Sequence, residues 1–149
     1  MGIDYGERRI GVALCDELGM TAQGVATLYR KNREADLAAI AALVERFAVE
    51  RIVIGYPLRL DGSEGIQCEK INRFSRRLGA RTQVPVLRWD ETLSTKEAEE
   101  VLRRQGVRPE KQREVVDRVA AAIILQGYLD ALARGDKADD ARKEIDADH

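Results

Sequence analysis

Histidine, cysteine and aromatic residues are scarce in this sequence, and each shortage argues against a class of functional site. The only histidine is His149, the last of 149 residues, at a position where chains are seldom ordered enough to build a site. Cys15 and Cys68 form no close metal-ligand pair, and two cysteines do not make a disulfide framework. These shortages argue against a Ser-His-Asp triad, a histidine general base and a histidine-ligated zinc site, and they favour a reducing, cytoplasmic setting.

The sequence also lacks long apolar runs. No run approaches the roughly 18 residues that cross a bilayer, and the first residues show no signal-peptide hydrophobic region, so no membrane partner is expected. Aromatic residues make up only 5% of the chain, which argues against recognition of single strands by base stacking. Hydrophobic residues at 44% and charged residues at 34% are typical of a globular domain with its own core.

Charge is unevenly distributed along the chain. The net charge is −1 overall, but residues 136–149 carry six acidic and three basic side chains, which leaves residues 1–135 with a net charge of +2. A polar, charged segment without an apolar run is usually disordered. We therefore predict one domain at residues 1–135, followed by an acidic, disordered tail at residues 136–149.

The pattern of apolar residues predicts an α/β fold. Three short β-branched segments separated by tight turns indicate an antiparallel meander at the start of the chain. Later strands alternate with helices, which requires parallel crossovers. We predict one mixed five-stranded sheet, with three antiparallel N-terminal strands and helices on both faces. The predicted elements are strands near Ile3 and at 10–14 and 24–29, a helix at 34–48, a strand at 51–55, a helix at 64–78, a strand at 85–89, a helix that starts at a capping box at 94–97, and a helix at 115–132.

Carboxylates occupy three places where a carboxylate is locally unfavourable. Asp4 lies inside the first predicted strand, an element in which aspartate is depleted. Asp90 and Glu91 follow directly on the last predicted strand. Asp117 lies within the most apolar helix of the chain, where a lone buried carboxylate costs several kcal/mol unless it is paired or binds a metal.

Each of these acids also has an ordinary structural explanation. Asp4 could cap the turn that follows its strand, or it could pair with Arg8 or Arg9 in that turn. The two acids after the last strand could simply begin a polar loop. The acid of the apolar helix could pair with Arg113 or Arg118 on a solvated edge of its own helix. Taken singly, the residues leave these alternatives open.

Convergence of the acids favours a metal site. Strand ends cluster on one side of an open sheet, and a packed helix can bring a third carboxylate to them. Three acids without a nearby histidine suit hard, oxygen-preferring Mg²⁺ or Mn²⁺. Such sites typically hold two ions about 3.5–4 Å apart and hydrolyse phosphodiesters by activating water. The sequence therefore favours a carboxylate site for divalent metal ions, of the kind that hydrolyses phosphodiesters.

Four sequence blocks resemble the motifs of the YqgF family of RNase H-like nucleases. They are GIDYGERRIGVA at 2–13, VIGYPL at 53–58 with DGSEG at 61–65, WDE at 89–91, and Asp117 with AAAIILQ at 120–126. The blocks occur in the family's order and spacing and cover roughly residues 2–132. Three positions depart from the common pattern: Thr92 stands where arginine is common, Tyr56 where leucine is common and Cys15 where serine is common.

The resemblance implies an RNase H-like fold and assigns catalysis and metal binding to Asp4, Glu91 and Asp117. It also implies a nucleic-acid substrate, because family members are named pre-16S rRNA nucleases or Holliday junction resolvases. We expect processing of precursor 16S rRNA ends, by a monomer or a homodimer. The alternative is cleavage of branched DNA, for which two symmetric cuts require a dimer.

Two other classes of function remain as rivals. ATPases of the actin and sugar-kinase type share a similar opening motif, but two such domains are needed to enclose ATP and this chain supplies one. A catalytically silent RNase H-like binding module is the other rival, and the presence of all three acids argues against it.

Basic side chains supply a candidate nucleic-acid surface. Lys70, Arg73 and Arg77 recur at helical spacing in the second predicted helix, and Arg8 and Arg9 lie in the turn after the first strand. Phosphates could lie along such a surface. An ordinary solvated helix face is the alternative explanation.

Overall fold

A five-stranded sheet with helices on both faces organises the molecule. The computed structural model describes residues 1–57, 61, 63–90, 100, 103–106 and 109–135. The strands are β1 (Gly2–Tyr5), β2 (Arg9–Cys15), β3 (Ala22–Tyr29), β4 (Ile52–Tyr56) and β5 (Val86–Asp90), and the helices are α1 (Arg33–Arg46), α2 (Ile66–Thr82) and α3 (Pro109–Ala133).

The strand order is β3-β2-β1-β4-β5. The pairs β1–β2 and β2–β3 are antiparallel, and the pairs β1–β4 and β4–β5 are parallel. Short turns join the antiparallel strands, whereas α1 and α2 form the crossovers that parallel strands need. The predicted mixed sheet is therefore confirmed. Its topology places the carboxyl ends of β1, β4 and β5 at the same edge.

Strand alternation separates two apolar cores. In β1, Ile3 and Tyr5 point towards α1 and α2, and they pack in a core with Leu37 and Ile71. On the other face, α3 covers a second core. Its buried members are Ala13, Val53, Leu87, Ala121, Ile124, Leu125 and Tyr128. The prediction of helices on both faces is thus confirmed.

Helix boundaries differ from the predicted ones where polar residues extend a helix. The last helix begins at Pro109, six residues before the apolar run on which the prediction rested. At the end of α2, Thr82 donates a hydrogen bond from its hydroxyl to the Leu78 carbonyl at 2.8 Å, and Gln83 then adopts a left-handed conformation with φ of 60°. Helical turns made of polar residues carry no apolar periodicity, so the sequence pattern does not include them.

Some predictions lie outside the described residues. The capping box at 94–97 and the tail at 136–149 belong to this group. Glu100 and residues 103–105 are helical. Among the described residues, no helix is long and apolar enough to cross a membrane.

Candidate active site

Asp4 lies on the central strand and on the α3 side of the sheet. It occupies β1 between the buried residues Ile3 and Tyr5 and is itself half-buried. Side chains alternate between faces along a strand, and a Cβ added at Gly2 would lie 2.7 Å from the Ala121 carbonyl of α3. Position 4 therefore shares the α3 face with position 2, near the carboxyl end of β1.

Gly11 brings Asp117 to the same place. It is the β2 residue paired directly with Asp4, and directly paired residues point to the same face with Cα atoms about 4.5–5.5 Å apart. A Cβ at Gly11 would lie 1.9 Å from the Asp117 carbonyl oxygen, so only glycine allows α3 this close. The helix backbone at Asp117 thus rests against the sheet beside Asp4.

The side chain of Asp117 forms an ion pair with a strand residue. Arg9 Nε donates a hydrogen bond to Asp117 Oδ2 at 2.6 Å, and the two side chains are 23% and 14% exposed. The alternative explanation correctly gave Asp117 an arginine partner, but it named the wrong arginine, Arg113 or Arg118. The actual partner comes from β2, 108 residues earlier in the chain.

Strand β3 holds the preceding turn of α3. The Thr27 hydroxyl donates to the Glu114 carbonyl at 2.6 Å, and the Tyr29 hydroxyl donates to the Glu114 carboxylate. That carboxylate hydrogen bond raises the pKa of Tyr29. The sequence analysis missed these contacts between β3 and α3, because none of the three residues has an unusual sequence environment.

Asp90 lies on the other face of the sheet from Asp4. It is exposed, ends β5 and pairs with Tyr56. Arg88, two residues earlier and on the same face, lies 4.7 Å above the Tyr56 ring and 3.5 Å from the Glu64 carboxylate on the α2 side. Glu91 lies outside the described residues. Among the described residues, no group of three or more metal-ligating side chains is assembled.

The two described acids fit a divalent metal by their chemistry. Carboxylate oxygens are the ligands that Mg²⁺ and Mn²⁺ prefer. The Arg9 guanidinium already places a positive charge on Asp117 at 2.6 Å, so this point of the α3 face accommodates a cation. Of the predicted set, Arg9 and Asp117 form an ion pair, and Asp4 lies on the same face beside the strand residue that the Asp117 backbone approaches.

The basic residues of α2 lie on the opposite face. Lys70, Arg73 and Arg77 are exposed, and within the described part of the chain no carboxylate lies within 4.0 Å of them. Burial raises the pKa of Tyr5, and the positive charge of Arg30, followed by those of Arg77 and Arg73, opposes that rise. Arg8 is exposed in the β1–β2 turn.

Arg30 fixes that turn, and sequence reasoning missed it. Its guanidinium donates to the Gly6 carbonyl at 3.0 Å, lies 4.5 Å above the Tyr5 ring and pairs at 3.3 Å with Asp36, which is only 5% exposed. An arginine after a strand gives no sequence signal for such contacts.

Comparison with known proteins identifies related sequences over most of the chain. A family model described as RuvX, Holliday junction resolvase, matches residues 1–131. A Syntrophus aciditrophicus protein named "Putative pre-16S rRNA nuclease" is 65% identical over 134 residues, which cover 90% of this chain and 89% of the relative. A Halothermothrix orenii protein of the same name is 51% identical over 87% of this chain and 92% of the relative.

Solved structures share the fold. The structure of Thermus thermophilus RuvC in complex with a Holliday junction substrate matches with a TM-score of 0.55 and 18% identity, over 89% of this chain and 94% of that chain. A second Thermus thermophilus RuvC structure matches with a TM-score of 0.52 and 19% identity. The predicted RNase H-like architecture is confirmed by these matches.

Proposed function

The chain belongs to the RuvX family of nucleases, and from this premise we propose that it is a divalent-metal-dependent enzyme that processes the ends of precursor 16S rRNA. The observation that carries the proposal is the close approach of the Asp117 backbone to Gly11, which is the direct strand partner of Asp4. The choice of RNA rests on the names of the relatives that are 65% and 51% identical. Maturation of rRNA would take place in the cytoplasm.

The proposed metal ligands are Asp4, Glu91 and Asp117, with Mg²⁺ or Mn²⁺ as the ion. When bound, such ions lower the pKa of a coordinated water and stabilise charge on the phosphate. Asp4 is held by the central strand, and Asp117 by a helix in backbone contact with the sheet. We assign the third ligand to Glu91 rather than Asp90, because Asp90 belongs to the α2 face.

Nucleic-acid binding is assigned to Arg8, Arg9, Lys70, Arg73 and Arg77. Arginine and lysine bind phosphates without regard to base sequence, and each contact releases counterions. The exposure of the three α2 cations supports this role. We place the whole nuclease in residues 1–135, with residues 136–149 as a separate acidic tail.

A second candidate function is the cleavage of branched DNA. The description of the family model and the RuvC complex with a Holliday junction favour it. Junction resolution needs two symmetric cuts, so this function would require a homodimer, whereas trimming of rRNA ends would not. A silent binding module would need neither metal nor dimer.

Parallel cleavage assays separate these candidates. The wild type and Asp4→Asn are incubated with end-labelled 16S precursor RNA and with a four-way DNA junction, in Mg²⁺, in Mn²⁺ and in chelator. We expect metal-dependent cleavage of the RNA ends by the wild type alone. Symmetric nicking of the junction without RNA cleavage would favour the second candidate. Absence of cleavage on both substrates would favour the silent module.

A further inference from the structure

Arg9 already occupies the carboxylate that the proposed function gives to the metal. Its Nε atom lies 2.6 Å from Asp117 Oδ2, and both side chains are mostly buried. Hydrogen bonds between ionised partners in such places are short and strong. A divalent ion bound to the same carboxylate would stand within a few ångströms of the guanidinium, and two like charges at that distance repel each other.

We propose that Arg9 competes with the metal ion for Asp117 and, once displaced by the ion, binds a phosphate of the nucleic acid. The inference rests on the proposed function and adds to it an order of events. Before metal binds, the guanidinium neutralises Asp117. After metal binds, the same guanidinium becomes available to the substrate, so metal binding and substrate binding strengthen each other.

The contacts of Arg9 permit this exchange. Within the described part of the chain, Asp117 is the one hydrogen-bonding partner of the Arg9 guanidinium, through Nε. A guanidinium has five N–H donors, so release breaks a single hydrogen bond. The backbone of Arg9 is held independently, since its carbonyl accepts from Gly6 N at 3.0 Å and its strand pairs with Tyr29. The side chain can therefore turn while the strand stays in place.

Arg30, in contrast to Arg9, is held by several contacts. Its guanidinium is fixed at once by the Gly6 carbonyl, by Asp36 and by the Tyr5 ring. Displacement of Arg30 would break all of these contacts. Of the two arginines, only Arg9 contacts a proposed metal ligand, and among the described residues its side chain is held there by a single hydrogen bond.

Metal titration without nucleic acid tests the competition. Binding of Mn²⁺ is measured by calorimetry for the wild type, Arg9→Gln, Asp117→Asn and Arg113→Gln, which removes the same charge from an exposed residue one helical turn before Asp117. We expect Arg9→Gln to bind Mn²⁺ at least fivefold more tightly than the wild type, and Arg113→Gln to differ by less than twofold. An Arg9→Gln affinity equal to or weaker than that of the wild type would overturn the inference.

The same experiment separates this inference from the function on which it rests. If the wild type binds no Mn²⁺, or if Asp117→Asn binds it equally well, the proposed metal site is wrong. If Asp117→Asn abolishes binding while Arg9→Gln leaves it unchanged, the metal site stands and the competition is wrong.

A measurement on the wild-type protein tests the displacement of Arg9 even if one of the variants fails to fold. In ¹⁵N-labelled wild type, the Arg9 Nε–H signal is assigned by its absence from Arg9→Lys, or by selective labelling and proximity to Asp117. We expect slow exchange of this proton with water in chelator and fast exchange at saturating Mg²⁺. Unchanged protection at saturating Mg²⁺ would show that the pair persists and that Arg9 is not displaced.

Discussion

Replacement of Asp117 by asparagine is expected to weaken the fold as well as cleavage. Breaking a fully buried ion pair costs about 3–5 kcal/mol, whereas exposed pairs contribute about 0–1 kcal/mol. The Arg9–Asp117 pair lies between these limits, with side chains 23% and 14% exposed. Asparagine keeps an oxygen that can accept from Arg9 Nε, so the loss should be about 1–2 kcal/mol, the worth of a charge-assisted bond over a neutral one.

Urea unfolding in chelator measures this loss directly. The variants are Asp117→Asn, Arg9→Gln and the double variant, which form a double-mutant cycle. We expect each single change to lower the free energy of unfolding and the double change to cost less than their sum, with a coupling of about 1 kcal/mol. Cleavage by Asp117→Asn should fall at least a hundredfold.

Two results would refute this reasoning. A coupling energy near zero would mean that the ion pair contributes nothing to the fold. An Asp117→Asn variant that loses stability yet cleaves at the wild-type rate would make Asp117 a structural residue. The expected loss of stability depends on the ion pair with Arg9. If Asp117 had no partner, Asp117→Asn would remove a poorly solvated charge at constant volume, and the variant would be as stable as the wild type.

Three further outcomes are expected. Cleavage should require Mg²⁺ or Mn²⁺ and fail with Ca²⁺, whose looser coordination suits an all-carboxylate catalytic site poorly; activity in excess chelator would contradict this. Changing Arg73 and Arg77 together to alanine should weaken nucleic-acid binding equally across sequences and flatten its salt dependence. Arg81→Ala is the control, since Arg81 is already paired with a carboxylate at 2.9 Å, and an equal effect there would make the α2 surface an ordinary solvated face. Glu91→Gln should abolish cleavage while the neighbouring Asp90→Asn retains most of it, because Asp90 belongs to the α2 face; the reverse order in a rate assay would exchange their roles.

Local patterns were sufficient to predict the sheet and the place of Asp4. The strand that carries Asp4 is read from the β-branched residues around it, and the parallel strands from their alternation with helices. Helix ends were less well predicted, because the polar residues that begin α3 carry no apolar signal in the sequence.

The partner of Asp117 could not be predicted from local patterns. Sequence neighbours on the helix suggested Arg113 or Arg118, but the ion pair spans 108 residues. It is set by the close approach of α3 to Gly11 and by strand alternation, which puts Arg9 and Gly11 on one face. Both are properties of the assembled sheet, and no single segment contains them.

The sheet separates the predicted cations of α2 from the acids. Lys70, Arg73 and Arg77 belong to α2 on one face of the sheet. Asp4 and Asp117 lie on the other face, where α3 packs. The carboxyl ends of β1, β4 and β5 form one edge of the sheet between these two faces. A nucleic acid that contacts both groups must therefore pass around an edge of the sheet rather than lie along one face. Among the predicted cations, Arg9 is the one placed directly on the acid side, which is why its release would decide how phosphate reaches the metal site.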